Sequence, residues 1–208
     1  MTKTSTPPKR PYRLLRRAEQ QEETRQRIVD ATVALHRERG PARTTISAIA
    51  QRAGVERLTV YRHFADERSI LAACSAQFSA ESPLPDPERW VGIEEPSERV
   101  GVALSALYNY YRREAEMLAH VIRDAQTQPA VAEAVAPLRQ SIIALRKRLS
   151  EGWNVRGRRR DRLEAALGHA LRFETWQSLV QEEGLSDGDA ADLMVELART
   201  VAGVPARD

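Results

Sequence analysis

Residues 44–71 read TTISAIAQRAGVERLTVYRHFADERSIL. Two short apolar-periodic runs flank a glycine. Thr45 is placed to cap a helix over 46–53, Gly54-Val55 makes a turn, and a second short helix fits residues 57–64. Two short helices joined by a tight glycine turn form a helix-turn-helix. The inward positions agree with that reading. Ile49 and Ala50 face in from the first helix, Ala53 is small where the helices approach, and Val55 plugs the turn. Val60 and Phe64 stand four apart beneath the second helix. Its other face carries Arg57, Leu58, Thr59, Tyr61, Arg62 and His63. Hydroxyls and imidazoles of this kind hold phosphates and set register on DNA. Arginine reads guanine bidentately, and an apolar tip such as Leu58 suits a thymine methyl. A helical hairpin with a solvated face has the same spacing, so the pattern alone leaves both readings open.

Outward from this segment the chain reads as helix after helix. Residues 18–39 set Ile28, Val29, Thr32, Val33, Leu35 and His36 at helical spacing and end at Gly40-Pro41. Asp66 can cap a helix to about residue 80 with Ile70, Leu71 and Phe78 inside. Residues 82–96 hold four prolines and no periodicity, which predicts a loop. Further helices are expected over 97–128, continuing or breaking near Glu114, over 129–149, over 160–183, and from a Ser186 cap to 202. Pro137 implies a kink or a late start in the second of these. Strand alternation and internal repeats are lacking. The expected fold is all-α with about nine helices. It divides into a flexible basic arm (1–17), a helix-turn-helix part (18–65), and a larger helical part (66–208).

Composition narrows the function. The chain has 208 residues, 42% hydrophobic and 29% charged, which is globular. A lone cysteine, Cys74, excludes an intrachain disulfide and suits a reducing compartment. No run approaches the roughly 18 apolar residues of a membrane span, and residues 1–10 lack the apolar stretch of a secretory signal. A cytoplasmic location without membrane contact is expected. The net charge of +3 hides +7 over residues 1–68 and −4 over the rest, as if the basic end meets a polyanion. The arm (Lys3, Lys9, Arg10, Arg13, Arg16, Arg17) either enters a minor groove or is a solvated tail adding non-specific attraction. Sequences of the G-x-S-x-G, Walker A, HExxH and GxGxxG types are lacking, so neither an enzyme nor a cofactor is expected. His120 and Asp124, one helical turn apart, have no third partner in sequence, and no metal is expected. Cys74 lies in an apolar helix and reads as an inert buried thiol. Arg158-Arg159-Arg160 reads as a solvated helix edge rather than a second nucleic-acid patch.

Residues 24–71 resemble the DNA-binding domain of the TetR family of transcriptional repressors. The resemblance runs through Arg27-Ile28-Val29-Asp30-Ala31, Leu35, Glu38-Arg39-Gly40, Thr44-Thr45-Ile46, Ile49-Ala50 and Ala53-Gly54-Val55. It is strongest at Thr59-Val60-Tyr61-Arg62-His63-Phe64, where members typically show T-[VL]-Y-x-[HY]-F. It covers about a quarter of the chain. The resemblance implies a phosphate contact at Thr45, a backbone clamp at Thr59, Tyr61 and His63, and base contacts at Arg57, Leu58 and Arg62. Three positions depart from the family. His36 stands where phenylalanine is usual, Glu56 where serine is common, and Glu67 where many members carry a phosphate-binding lysine. Either Arg68 replaces that lysine or the contact is lost. The resemblance further implies a homodimer through the last two helices, reading a palindromic operator in double-stranded DNA. Leu163, Leu167, Ala170, Leu171, Ala190, Met194, Leu197 and Val201 are the expected faces. It implies a small-molecule effector in the C-terminal domain, with Trp90, Tyr108, Tyr111, His120, Trp153, Phe173 and Trp176 as candidate walls. The function implied is a repressor released by its effector through population shift. A transcriptional activator and a non-specific architectural DNA binder are the alternatives.

Overall fold

A computed structural model describes residues 9–90 and 92–204, with side chains from residue 14 onward. The helices are α1 (Lys9–Arg39), α2 (Ile46–Ala53), α3 (Arg57–His63), α4 (Glu67–Glu81), α5 (Pro96–Asp124), α6 (Pro129–Ala134), α7 (Ala136–Leu149), α8 (Arg158–Ala170), α9 (Phe173–Trp176) and α10 (Asp187–Ala202). Short 3₁₀ turns occupy Pro41–Arg43 and Pro87–Trp90, and α9 runs on into a π-helical turn over Gln177–Glu182. The described residues contain no strand, so the all-α expectation stands.

Two boundaries differ from expectation, and one open choice is decided. α1 begins at Lys9 rather than residue 18. Pro11 lies in its first turn, where a missing N–H costs nothing, and residues 13–23 are mostly strong helix formers. Residues 1–8 of the expected arm lie outside the described residues. Pro137 gives a late start: α6 stops at Ala134 and α7 takes the proline into its first turn. The long helix expected over 160–183 is broken at Arg172, whose backbone is extended (φ −80°, ψ 142°). The break frees the Ala170 and Leu171 carbonyls, which side chains take up, and a third side chain adds to the His169 carbonyl, which also accepts the Arg172 N–H at 3.1 Å. Thr175 Oγ1 donates to His169 O (2.6 Å), Tyr108 to Ala170 O (2.9 Å) and Tyr111 to Leu171 O (2.7 Å). Two of these donors come from α5, so neighbouring residues in sequence carry no sign of the break.

Two main apolar cores result. The smaller joins α1 to α4 through Ile28, Val29, Leu35, Ile49, Val60, Phe64 and Ile70, with Met117 of α5 packed in. The larger lies where α10 packs on α8 and α5, and holds Leu104, Leu107, Leu163, Leu167, Leu171 and Trp176. Leu163, Leu167, Ala170, Leu171 and Ala190, expected on a dimer face, are buried inside this chain. The exposed large apolar residues of α10 are Leu193 and Leu197.

Candidate DNA-binding face and ligand cavity

The helix-turn-helix forms as its sequence dictates. Thr45 caps α2, its hydroxyl accepting the Ala48 N–H at 3.2 Å. Gly54 closes α2 in the left-handed region (φ 65°, ψ 39°) and Val55 N–H bonds to Ala50 O at 3.0 Å. Val60 and Phe64 are buried, which turns the opposite face of α3 to solvent. Arg57, Leu58, Tyr61 and Arg62 are exposed there, and Thr59 and His63 are half-buried. Neither Arg57 nor Arg62 forms an ion pair among the described residues, unlike Arg52, which holds Glu38 at 2.7 Å. α3 thus presents two free guanidinium groups, a phenol and an isobutyl group on one rigid helix. The Arg25 guanidinium lies 5.0 Å over the Phe64 ring and braces the end of α3. Arg68 pairs with Glu133 of α6 at 3.2 Å, and Glu67 is exposed beside it. Arg158, Arg159 and Arg160 open α8 at the surface, Arg160 pairing with Glu164 at 3.0 Å.

The helix-turn-helix end is fastened to α5 by polar side chains. Asp124 is buried and accepts the Ala42 N–H and Arg123 Nε, both at 2.8 Å. Burial pushes its pKa up, but these two hydrogen bonds and the Arg123 charge outweigh that, and the net shift is downward. His120 Nδ1 meets the Arg37 carbonyl at 3.1 Å, so that nitrogen donates. His120 and Asp124 therefore serve as a junction between α5 and the helix-turn-helix end. A Cβ on Gly40 (φ 86°) would come within 2.7 Å of Asp124 Oδ2, so only glycine lets α1 approach α5 this closely. Higher up, α5 kinks at Glu114 (φ −108°, ψ 15°). The Glu114 carboxylate takes Arg37 Nη2 of α1 at 2.9 Å and Ser82 Oγ at the end of α4 at 2.8 Å.

Above this junction lies a cavity of about 320 Å³ between α1, α4, α5, α6 and α7. His36, Cys74, Phe78, Tyr110, Met117 and Leu138 are among its walls. Burial lowers the His36 pKa to about 4, against the opposing pull of Asp124, so the ring is neutral. Its Nδ1 lies 3.3 Å from the Cys74 sulfur, and burial pushes that thiol up to about 12, which keeps it unreactive. A second recess in the helix-turn-helix part shares His36, Pro41 and Leu71 with the cavity and adds Thr45 and Tyr61.

None of the seven candidate effector-wall residues lines the main cavity. Six are core. Tyr108, Tyr111, Phe173 and Trp176 form one aromatic cluster, with Phe173 5.4 Å from Trp176. Trp176 Nε1 donates to Asp187 and Trp153 Nε1 to Leu149 O, both at 2.8 Å, whereas Trp90 is buried with its Nε1 unpartnered among the described residues. The seventh, His120, belongs to the junction. Large aromatics that can satisfy their polar atoms internally bury in the core first, leaving the cavity to Tyr110 and smaller residues.

Residues 28–74 match the family model described as bacterial regulatory proteins, tetR family. The chain carries a tetR-family domain. A curated relative, the HTH-type transcriptional regulator SrpR of Pseudomonas putida, is 40% identical over 92 residues, which are 42% of this chain and 40% of that protein. The chain spans less than two thirds of the curated relatives it matches. Beyond the tetR-family domain, solved structures carry the likeness. A TetR-like transcriptional regulator from Rhodococcus sp. RHA1 has 24% identity and a TM-score of 0.62 over 86% of this chain and 96% of that one. The regulator FadR from Bacillus subtilis, solved in complex with stearoyl-CoA, has 19% identity and a TM-score of 0.59 over 86% and 99%. These likenesses extend the family's fold over nearly the whole chain. Among the described residues no helix is long and apolar enough to cross a membrane.

Proposed function

We propose that this chain is a sequence-specific DNA-binding transcriptional regulator, a repressor that leaves a palindromic operator when a small molecule fills the cavity. The observation that carries it is the α3 face, where unpaired Arg57 and Arg62 flank Leu58 and Tyr61 on a helix held by its own small core. In this reading Arg57, Leu58 and Arg62 read bases, while Thr45, Thr59, Tyr61 and His63 hold phosphates. Residues 18–65 act as the DNA-binding domain and 66–208 as the regulatory and dimerisation domain. The cavity supports effector control because it shares His36, Pro41 and Leu71 with the recess under Thr45 and Tyr61. Two copies are needed to read two half-sites one DNA turn apart. The exposed Leu193 and Leu197 of α10 support a pairing face there. The likeness to regulators supports a binding protein rather than an enzyme.

Fluorescence anisotropy with duplexes from upstream of its own gene and with shuffled duplexes, at two salt concentrations, tests this. Preference for the native duplex that survives the higher salt is the expected result. Equal binding that collapses with salt at both, and no winner from a random-sequence pool, would instead make it an architectural DNA binder.

A further inference from the structure

The walls of the main cavity restrict its ligand more than their location does. No charged side chain lines it. Most of the surface is aliphatic or aromatic, from Leu71, Phe78, Met117, Leu118 and Val131. The nearby carboxylate, Glu114, is not among the walls, and its two oxygens are taken by Arg37 and Ser82. The wall histidine, His36, is neutral, as its lowered pKa requires. An ion placed here would lose its water and find no counter-charge.

Besides the His36 imidazole and the Cys74 thiol, which meet each other, the polar side-chain groups of the wall are five hydroxyls; three are engaged and Ser79 is exposed. Ser75 donates to Ala134 O at 2.8 Å, Ser82 to Glu114 at 2.8 Å, and Ser141 to Pro137 O at 3.1 Å. Tyr110 differs. Its side chain is 2% exposed and lines the cavity, yet its hydroxyl has no hydrogen-bond partner among the described residues. The tyrosines on either side of it in the same helix, Tyr108 and Tyr111, both donate to carbonyls of the broken α8 end. Burial also pushes the Tyr110 pKa up to about 12, so it stays a neutral donor. Its oxygen is open to the cavity rather than sealed in the core, so an acceptor on a bound molecule can reach it and gains a hydrogen bond away from bulk water.

We propose that this cavity takes an uncharged, mainly apolar small molecule whose hydrogen-bond acceptor, a carbonyl or ether oxygen, is received by the Tyr110 hydroxyl. This rests on the proposed function, in which the same cavity is the effector site. Ring systems of one size separate the contributions: naphthalene, 2-acetylnaphthalene, 2-naphthoate and 2-naphthylmethylammonium, each titrated by calorimetry into the full-length protein. The ketone should bind roughly tenfold tighter than naphthalene, the worth of one buried hydrogen bond. Both ions should bind at least roughly a hundredfold more weakly than the ketone. Tyr110→Phe removes only the unpaired hydroxyl. It should abolish the preference for the ketone and leave naphthalene unchanged. Equal weakening of ketone and naphthalene by Tyr110→Phe overturns the hydrogen bond in favour of mere packing. An ion that binds as tightly as the ketone, or no binding by any of these compounds, overturns the ligand class. Release of operator DNA by the same compounds is scored separately. Binding of the ketone without release sinks the effector role and leaves the ligand class standing. Release by an ion alone does the reverse.

Discussion

Acid should weaken this fold at His36. The side chain is 5% exposed, wedged between the helix-turn-helix part and the cavity, with Cys74 Sγ 3.3 Å from Nδ1. Burial brings its pKa from the ordinary 6.5 to about 4, and the facing Asp124 charge opposes this without cancelling it. Cys74, held near 12, stays neutral throughout the range. Because the folded pKa lies below the unfolded one, the unfolded chain takes the proton first. The stability contributed by neutral His36 is therefore complete above about pH 6.5 and is lost as the pH falls towards 4. At about 1.36 kcal/mol per pH unit, the gap amounts to roughly 3 kcal/mol, of which about 2 kcal/mol disappears between pH 7 and pH 4.5. In a chain of this size that corresponds to a fall of roughly 4–8 °C in Tm. His36→Phe isolates the effect, since phenylalanine fills the site and cannot titrate. Urea unfolding followed by far-UV circular dichroism gives the free-energy difference between wild type and variant. That difference should move by about 2 kcal/mol in favour of the variant on going from pH 7 to pH 4.5. Carboxylate contributions are common to both proteins and cancel. A difference that is constant with pH refutes the reasoning, as does an NMR titration of His36 with an ordinary midpoint.

Other outcomes follow from the same geometry. Tyr61→Phe and Thr59→Ala should weaken binding to all duplexes alike, by roughly 0.5–1.5 kcal/mol each, whereas Arg57→Ala and Arg62→Ala should cost roughly 1–3 kcal/mol of base discrimination. Anisotropy against single-base operator variants tells the two classes apart, and identical behaviour would erase the distinction between clamp and reader. Asp124→Ala strands the Ala42 N–H and should cost about 1–3 kcal/mol of stability in urea. A loss below about 0.5 kcal/mol would mean that water or Arg123 repairs the junction. Leu193→Asp with Leu197→Asp should give a monomer by light scattering with unchanged far-UV circular dichroism, because both side chains face solvent in the single chain. A dimer that survives both changes would place the pairing face elsewhere.

What sequence reading reached was local. The cap at Thr45, the glycine turn, and the spacing of Val60 and Phe64 lie within twenty residues, so propensity and periodicity speak directly. The cavity is assembled from positions as far apart as His36, Cys74, Tyr110, Val131 and Ser141, and no spacing rule gathers them. The aromatics expected as cavity walls lie in the core for an energetic reason. Tyr108, Tyr111 and Trp176 find acceptors inside the core and vanish into it, while Tyr110, one residue from Tyr111, faces the opening. A signal existed in principle. Tyr108 and Tyr111 are three apart and share a helix face, and Tyr110 falls off it. The break in the long C-terminal helix had no such signal, because the α5 tyrosines that hold it open are some 60 residues away.

The proposed control by ligand requires a part that both DNA and ligand bias. The exposed Arg68–Glu133 pair is a weak candidate, since such a pair contributes only about 0–1 kcal/mol. Glu114 is stronger. Its carboxylate is buried at the α5 kink and ties α1 through Arg37 to the end of α4 through Ser82, the residue that also lines the cavity. A ligand that displaces Ser82 must therefore work against Arg37 and, through it, against the helix that carries His36. Glu114→Gln keeps the shape and an acceptor for Ser82 but removes the charge that holds Arg37. Operator affinity without ligand should change less than about threefold, because Arg37 is well enough exposed to find water. The ratio of operator Kd with and without ligand should fall by roughly five- to tenfold, about 1–1.4 kcal/mol of coupling. A ratio equal to that of the wild type would mean that the signal crosses at the shared wall of His36, Pro41 and Leu71 and bypasses Glu114.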